Sequence, residues 1–345
     1  MRASIRPVTA PPGSPSSEPL RLPGLPGKFE TVMSLSYLSL LPGFVRLIPP
    51  RHGDPWQLQP PLWTSWRIDP TVLIGVFALA AAYILLTGPL NDRRVDAAAR
   101  SVTRKQRISF LAGCVVLLLA LGPPLEDWSG LLMSGHMTQH LLLIFAVPPL
   151  ILYGTPAWLL EPLLRWPVVA RAGYLLTRPV TAFALSSAVI LIWHLPVVYE
   201  AALQFTPLHI LQHQLFLLTA ILVWWPLLGP LPEWQRSSPL IQIALLIALT
   251  FPGAIVGSFL TLGQPGFYPT YTTVPRMWGI ALATDQQAAG LLMWVGGGII
   301  YLLLVTIVFF QWAAAAETHG PEDARPAPDP LPGIGDAVSG AATRE

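Results

Sequence analysis

The sequence predicts an all-α integral membrane protein, a seven-transmembrane-helix bundle with its N-terminus outside and its C-terminus in the cytoplasm. Composition is the first reason: 53% of the 345 residues are hydrophobic and only 11% are charged, whereas soluble domains carry about 25% charged residues. The other two reasons are a series of long apolar segments and an unequal distribution of basic residues between the loops. The net charge of +2 is too small to indicate a nucleic-acid-binding protein.

Seven apolar segments approach the roughly 17–25 residues that a helix needs to cross ~30 Å of hydrocarbon. Because backbone polar groups find no water in the bilayer, such segments are expected to be helices. The second segment is short and is expected to continue through Pro123 to Leu125. The predicted spans are Thr71–Gly88, Ile108–Gly122, Leu131–Tyr153, Pro179–Leu195, Leu208–Leu228, Pro239–Leu262 and Gln286–Trp312.

Basic residues are concentrated in every second loop between the predicted spans. Ten Lys and Arg residues lie in the loops 91–107, 154–178 and 229–238. Only Arg276 lies in the alternate loops 123–130, 196–206 and 263–285. Loops rich in Lys and Arg normally stay in the cytoplasm, so the N-terminus is predicted to be outside.

Two further expectations concern the outer loops. Glu126 and Asp127 are expected only to solvate the loop in which they lie. Aromatic side chains gather at membrane interfaces, and those placed to form an outer belt are Trp128, Trp193, Tyr199 and Trp278.

Composition divides the chain into three parts. Residues 63–312 are predicted to form the membrane domain. Residues 1–62 are Pro-rich and expected to be largely disordered; their apolar segment 31–48 fits a signal-peptide core, an interfacial helix or a start codon placed too early. Residues 313–345 are expected to form a disordered cytoplasmic tail.

Five histidines share the outer ends of predicted spans: His136 and His140 in the third, His194 in the fourth, and His209 and His213 in the fifth. His52 and His319 lie in the terminal segments. Each of the two pairs has the spacing i, i+4, which places both imidazoles on one helix face. Imidazoles one turn apart can chelate a single metal ion.

Two other candidate ligands accompany these histidines. Met137 lies beside the first pair, and thioether sulphur is a soft ligand that favours Cu(I). Asp285 opens the seventh span, where an ionisable group normally faces the bundle interior, although Asp is also a common N-cap. The single cysteine, Cys114, excludes an internal disulfide and a Cys-x-x-Cys site and is expected to fill the core. The sequence therefore predicts a metal site from His136, His140, His194, His209, His213, Asp285 and Met137.

Other classes of protein fit the pattern less well. Both His pairs lack the Glu that zinc peptidases place after the first His, so a metalloprotease is disfavoured, and nothing indicates catalytic turnover. A haem-binding redox protein stays open, although candidate ligands on one side would hold at most one haem. A copper transporter also stays open, because Pro148-Pro149 and Pro252-Gly253 are typical of broken helices.

Several motifs extend over almost the whole membrane domain, from about Trp63 to Trp312. They are Trp66–Pro70, Ser134–Leu143, Pro148–Pro149, Gly154–Pro156, Trp193–Pro196 with Tyr199, His209 and His213 leading into Trp224–Pro226, Phe267–Pro269 with Tyr271, Asp285–Gln287 and Met293–Trp294. In combination they resemble the CtaG family, the seven-span bacterial cytochrome c oxidase assembly factors. This family is distinct from the single-span, cysteine-bearing copper chaperones that share its name.

The resemblance implies an assembly factor for a haem–copper cytochrome c oxidase in the bacterial cell membrane. It implies that copper is handled or delivered at the outer face, near the catalytic subunit of the oxidase. The implied partners are cytochrome c oxidase subunits, a periplasmic or extracellular copper chaperone and the lipid bilayer.

Overall fold

The computed structural model describes residues 69–91, 100–231, 234 and 237–318. The predicted N-terminal extension with its 31–48 segment, the motif residues Trp66–Ile68 and the tail from His319 onward lie outside these residues. All regular structure in the described part is helical, which confirms the all-α prediction. The helices are α1 (Pro70–Thr87), α2 (Arg104–Leu121), α3 (Leu125–Leu131), α4 (Met133–Leu141), α5 (Val147–Gly154), α6 (Ala157–Leu164), α7 (Pro167–Leu176), α8 (Pro179–Trp193), α9 (Pro196–Gln204), α10 (Thr206–Leu228), α11 (Pro239–Ala248), α12 (Thr250–Leu262), α13 (Thr270–Thr273), α14 (Leu282–Leu291) and α15 (Gly297–Thr318).

Several helical segments are long and apolar enough to cross a membrane, as expected of a multi-pass membrane protein. One more candidate is the pair α7 and α8, which is bent by 76°. With 15 residues, α8 alone is about 22 Å long, short of the ~30 Å hydrocarbon core. The count of seven spans and the orientation of the termini therefore stay predictions. The six long segments are Pro70–Thr87, Arg104–Leu131, Met133–Gly154, Thr206–Leu228, Pro239–Leu262 and Leu282–Glu317.

The predicted second span does not continue as one regular helix. α2 ends at Leu121, and a separate helix, α3, begins at Leu125. Pro123 and Pro124 lie between them and have no backbone N–H to extend the hydrogen-bond ladder of α2. At the other end of the chain, α15 continues to Thr318, so the first residues of the predicted tail are helical.

Three spans are irregular at an intermediate depth. In the third span a π-helical turn, Leu142–Ala146, joins α4 to α5. In the last span a second π-helical turn, Leu292–Gly296, joins α14 to α15. In the sixth span α11 and α12 are separate helices that meet at Leu249. Backbone of this kind is tolerated at membrane depth where it is buried in protein or lines a cavity.

The five histidines lie at one end of the bundle, called the histidine end below. α4 and α10 begin at this end, and α8 finishes there. Asp69, which precedes α1, borders the same cavity as His209, so α1 also begins at the histidine end. At the opposite end of α1 the hydroxyl of Tyr83 donates to the carbonyl of Gly154, the last residue of α5.

The last span packs closely against α12 through two glycines. A Cβ added to Gly290 would lie 2.3 Å from Thr261 Oγ1 and 2.6 Å from the carbonyl oxygen of Gly257. Small residues of this kind allow helix backbones to approach each other within a membrane. The contact fixes the position of α14, which carries Asp285.

We expect the Gly290→Ala substitution to lower the thermal stability of the detergent-solubilised protein. The new methyl group would overpack the α12–α14 contact, at a cost of about 1–3 kcal/mol. The matched control is Gly298→Ala, because an added Cβ there has no neighbouring atom within 4 Å. The control should be neutral or slightly stabilising, since Ala is favoured over Gly in helices. Equal melting temperatures for the two variants would contradict the proposed packing.

Candidate metal centre

Three helical segments bring five imidazoles together at the histidine end. His136 and His140 lie on α4, His209 and His213 lie on α10, and His194 directly follows α8. All five side chains are buried. Their neighbouring ring centroids are separated by between 4.3 Å, for His209 and His213, and 5.9 Å, for His136 and His213. The structure thus assembles into one group, here named the histidine cluster, all the histidines that the sequence singled out.

Two ring nitrogens of the cluster lie close to each other. The Nε2 atoms of His136 and His140 are 2.9 Å apart. One ligand nitrogen from each of His136, His140 and His213 can be chosen so that all three lie within 4.8 Å of one another. Nitrogens bound tetrahedrally at about 2.0–2.1 Å from a metal are about 3.3 Å apart. The three rings therefore need only small adjustments to share one ion.

Some of the buried ring nitrogens have no hydrogen-bond partner among the described residues. These atoms are Nδ1 of His136, Nδ1 of His140 and Nε2 of His194. The other nitrogen of His194, Nδ1, lies 2.7 Å from the carbonyl oxygen of Ile190. Because a carbonyl oxygen only accepts hydrogen bonds, Nδ1 carries the hydrogen, and the neutral ring keeps its lone pair on Nε2. That orientation is typical of an imidazole prepared to bind a metal.

Asp285, a residue of α14, lies beside the first residues of α4. It is not part of the group formed by His136, His140 and His213. Its Oδ2 accepts a hydrogen bond from the backbone N–H of Met133 at 2.8 Å. Its Oδ1 accepts from the backbone N–H and the hydroxyl of Ser134, at 3.0 and 2.5 Å. The carboxylate therefore caps α4 from a different span and positions the first histidine pair. Its role as a metal ligand stays a prediction.

Met137 is buried on α4 within a large apolar core cluster. It also borders a cavity of about 30 Å³ together with His140 and His194. The sequence-predicted thioether is therefore close to two of the predicted imidazoles.

Two buried glutamines beside the cluster were not singled out in the sequence. Gln139 precedes His140 and Gln212 precedes His213, so both pairs read His-x-x-Gln-His. The Gln139 amide nitrogen donates to the carbonyl of Ala120 and to Glu126 Oε2. Gln212 is completely buried, and neither its amide oxygen nor its nitrogen has a hydrogen-bond partner in the described part of the chain. The repeated Gln-His dipeptide was a signal that could have identified both residues.

The two acidic residues of the segment before α4 are not simply solvated, so that expectation is wrong. Asp127 is only 2% exposed. Glu126 borders a cavity of about 20 Å³ that also reaches His136 and His209. It also borders a cleft of about 370 Å³ between α1, α2 and α10, which reaches Asp69, His209 and His213. Burying a carboxyl group is costly without polar partners, and the Glu126 side chain accepts a hydrogen bond from Gln139.

The segment 263–281 is held against the histidine end by side chains from two helices. Gln286 Oε1 accepts hydrogen bonds from the backbone N–H groups of Gly266 and Phe267. Glu200, on α9, accepts from both the N–H and the hydroxyl of Thr270. We refer to residues 263–281 as the strap. These contacts explain why α14 begins with polar residues: their side chains bind both the strap and α4.

Tyrosines connect the strap to the cluster. The hydroxyl of Tyr268 donates to the backbone carbonyl of His194 at 2.8 Å. The hydroxyl of Tyr271 donates to the backbone carbonyl of Ser129 at 3.0 Å. Burial raises the pKa of both phenols above the ordinary value, so they remain protonated donors. The ring of Tyr199 stacks on that of Tyr268 at 3.8 Å and lies 5.2 Å from that of His136.

The predicted aromatic belt is only partly present. Tyr199 is completely buried and Trp193 is 7% exposed, whereas Trp278 is 60% exposed. The assignment of Tyr199 and Trp193 to a lipid-facing belt is therefore wrong. Position at a helix end does not distinguish a ring that faces lipid from one that packs beneath a covering segment.

Comparisons with known proteins agree with the sequence motifs. The family model for the cytochrome c oxidase caa3 assembly factor (Caa3_CtaG) matches residues 81–315, a range that contains the whole histidine cluster. Uncharacterised proteins from Mycobacterium leprae (strain TN) and Mycobacterium bovis (strain ATCC BAA-935 / AF2122/97) are each 24% identical over 275 residues. The match covers 74% of this chain but only 41% of the length of each relative. No solved structure matches the chain.

Proposed function

The chain belongs to the cytochrome c oxidase caa3 assembly factor family, and we propose that it binds copper in the histidine cluster, at the outer membrane face, for oxidase maturation. The observation that carries this proposal is the convergence of His136, His140 and His213, whose ligand nitrogens lie within 4.8 Å of one another. Imidazole is a good copper ligand. Copper is here the cargo that the protein passes to, or holds near, the catalytic subunit of the oxidase.

The carboxylates near the cluster support capture of a cation. Asp69 and Glu126 border the cleft that leads to His209 and His213. A copper ion in this cleft meets the carboxyl groups of both residues, which offer oxygen ligands, on its way to the imidazoles. Moving the ion into the bundle costs several kcal/mol of hydration free energy, and the clustered nitrogens offset this cost by replacing water as ligands.

Steric arguments disfavour a haem in the same place. Two axial imidazoles must approach the haem iron from opposite faces of the porphyrin. The cavities that border His136 and His140 measure only about 20 and 30 Å³, whereas cofactor pockets usually measure roughly 300–1,000 Å³. The larger cleft borders His209 and His213, but residues one turn apart on a helix cannot lie on opposite faces of one haem.

A copper importer is the second candidate, and the irregular spans are the observation that favours it. Transporters form their binding sites from interrupted helices near the bilayer midplane, and the sixth span is interrupted at Leu249. An importer would raise the copper content of the cytoplasm. Uptake of copper into vesicles that contain only this protein measures that activity and distinguishes it from oxidase maturation.

We expect membranes of cells that lack this protein to contain an oxidase with less copper. Haem should be retained, because the histidine cluster is proposed to affect copper alone. Purified oxidase from the deletion strain would be analysed for copper and haem. Wild-type protein should restore the copper content, and the His209→Ala/His213→Ala variant should not. A fully metallated oxidase in the deletion strain would sink the assembly role.

A further inference from the structure

A second group of potential metal ligands lies on the inner side of the histidine cluster. Met137, His140, His194 and Met293 border one cavity of about 30 Å³, named the thioether chamber here. This volume exceeds the roughly 10–15 Å³ that a cavity needs to hold one water molecule. The chamber therefore has room for one ion without its hydration shell, and the two sulphur atoms come from different spans.

The imidazoles of the chamber have ring nitrogens that the rest of the protein does not use. His194 Nε2 and His140 Nδ1 are both buried and have no hydrogen-bond partner among the residues that the structure describes. Buried polar atoms are almost always paired, and an exception needs an explanation. A metal ion bound in the chamber would use lone pairs of these rings.

All three irregular spans contribute to the walls of this chamber. Ile144 and Phe145 come from the first π-helical turn, and Met293 comes from the second. Leu249, at the junction of α11 and α12, also borders the chamber. π-Helical turns inside α-helices are frequent at functional sites. Their convergence on one cavity is not explained by the histidine cluster, which lies on regular helix.

We propose that the thioether chamber is a second copper site, which binds Cu(I) through the sulphur atoms of Met137 and Met293 and the imidazoles of His140 and His194. Thioether ligands select Cu(I) over the harder divalent ions. Two neutral thioethers and two neutral imidazoles add no negative charge, which suits a monovalent ion better than a divalent one. The inference rests on the proposed function for the identity of the metal, but not for the geometry of the chamber.

His140 connects the two sites. Its Nε2 lies 2.9 Å from Nε2 of His136 in the outer cluster, and its ring also borders the chamber. Because a neutral imidazole has a single nitrogen lone pair, His140 ligates only one ion at a time. When both sites are filled, the outer ion is held by the remaining imidazoles of His136, His209 and His213. Transfer of Cu(I) between the two sites changes no oxidation state and needs no electron donor.

The test is Cu(I) titration of the full-length, metal-free protein in detergent, under anaerobic conditions and against a chromophoric Cu(I) chelator. Wild type should bind two equivalents, and its copper X-ray absorption spectrum should show sulphur ligands. Met137→Leu/Met293→Leu should bind one equivalent and lose the sulphur signal. Exchange of Met for Leu conserves volume and usually costs less than about 1.5 kcal/mol. The control is Met133→Leu, a buried methionine of α4 that does not border the chamber; it should still bind two.

The outcomes separate this inference from the proposed function. Unchanged Cu(I) binding by Met137→Leu/Met293→Leu, or a wild-type spectrum without sulphur, overturns the thioether chamber and leaves the histidine cluster standing. His209→Ala/His213→Ala should keep one sulphur-ligated ion. If that variant instead keeps both ions, copper binding by the histidine cluster is refuted, and copper binding in the thioether chamber is not. Wild-type protein that binds no copper overturns both.

Discussion

Replacement of both histidine pairs by alanine (His136→Ala, His140→Ala, His209→Ala and His213→Ala together) is expected to abolish copper retention in the outer site. Four of the five imidazoles of the cluster disappear, and His194 alone cannot replace the hydration shell of the ion. The copper content of the purified protein, measured by mass spectrometry after removal of loosely bound metal, should fall by at least one equivalent. Either pair replaced alone should weaken binding, because each leaves only one i, i+4 pair of ligands.

The chain provides a control for this experiment. His52 and His319 lie outside the described residues, and the sequence places them in the terminal segments. His52→Ala/His319→Ala should retain as much copper as wild type. Gel filtration and thermal unfolding of all variants would show whether the cluster variants remain folded. Equal copper in wild type and the folded quadruple variant would falsify copper binding by the cluster.

Asp285→Ala is expected to cause the largest loss of stability among single substitutions at the histidine end. It removes the acceptor for the backbone N–H groups of Met133 and Ser134. A donor left without a partner in a buried position costs about 1–3 kcal/mol, so for these two donors the unfolding free energy should fall by about 2–6 kcal/mol. Thermal unfolding of the metal-free protein in detergent measures this effect without any contribution from copper.

The Asp285→Asn variant distinguishes positioning from metal ligation. The Asn side chain keeps one oxygen acceptor and nearly the same shape, so its loss of stability should be smaller than that of Asp285→Ala. If Asp285 only positions α4, the Asn variant should bind the same number of copper ions with an unchanged absorption spectrum. A variant with wild-type melting temperature and a missing copper ion would instead support direct ligation, as the sequence predicted.

The histidine cluster could be predicted from the sequence because the patterns that indicate it are local in the chain. The i, i+4 spacing of His136 and His140 defines one helix face, and the alternation of spans brings His194 and His209 to the same end. Each of these arguments needs only the periodicity of a helix and the length of a span. The family motifs include the same residues, and the family match over residues 81–315 confirms the resemblance to this family.

The groups that support the cluster could not be predicted because they depend on tertiary packing. Asp285 caps a helix that begins 152 residues earlier in the chain, and no local pattern identifies such a partner. The same is true of Tyr199, whose ring is covered by the strap. The π-helical turn at Leu142–Ala146 lies in an unbroken apolar sequence, so only its surroundings in the bundle distinguish it from ordinary helix.

The two histidine pairs, which are the proposed copper ligands, are held by contacts to different helices. Asp285 ties the first histidine pair to the last span, whereas the second pair lies on α10, which follows α9 directly. The two pairs therefore lie on different spans, which contact each other through the hydrogen bond from Trp224 Nε1 of α10 to the carbonyl of Ile144. Helix shifts of about 1–2 Å are common in switching proteins, and such a shift of α4 relative to α10 would change how many nitrogens reach one ion. If copper binds as proposed, the ease of its release would depend on the relative position of these two helices.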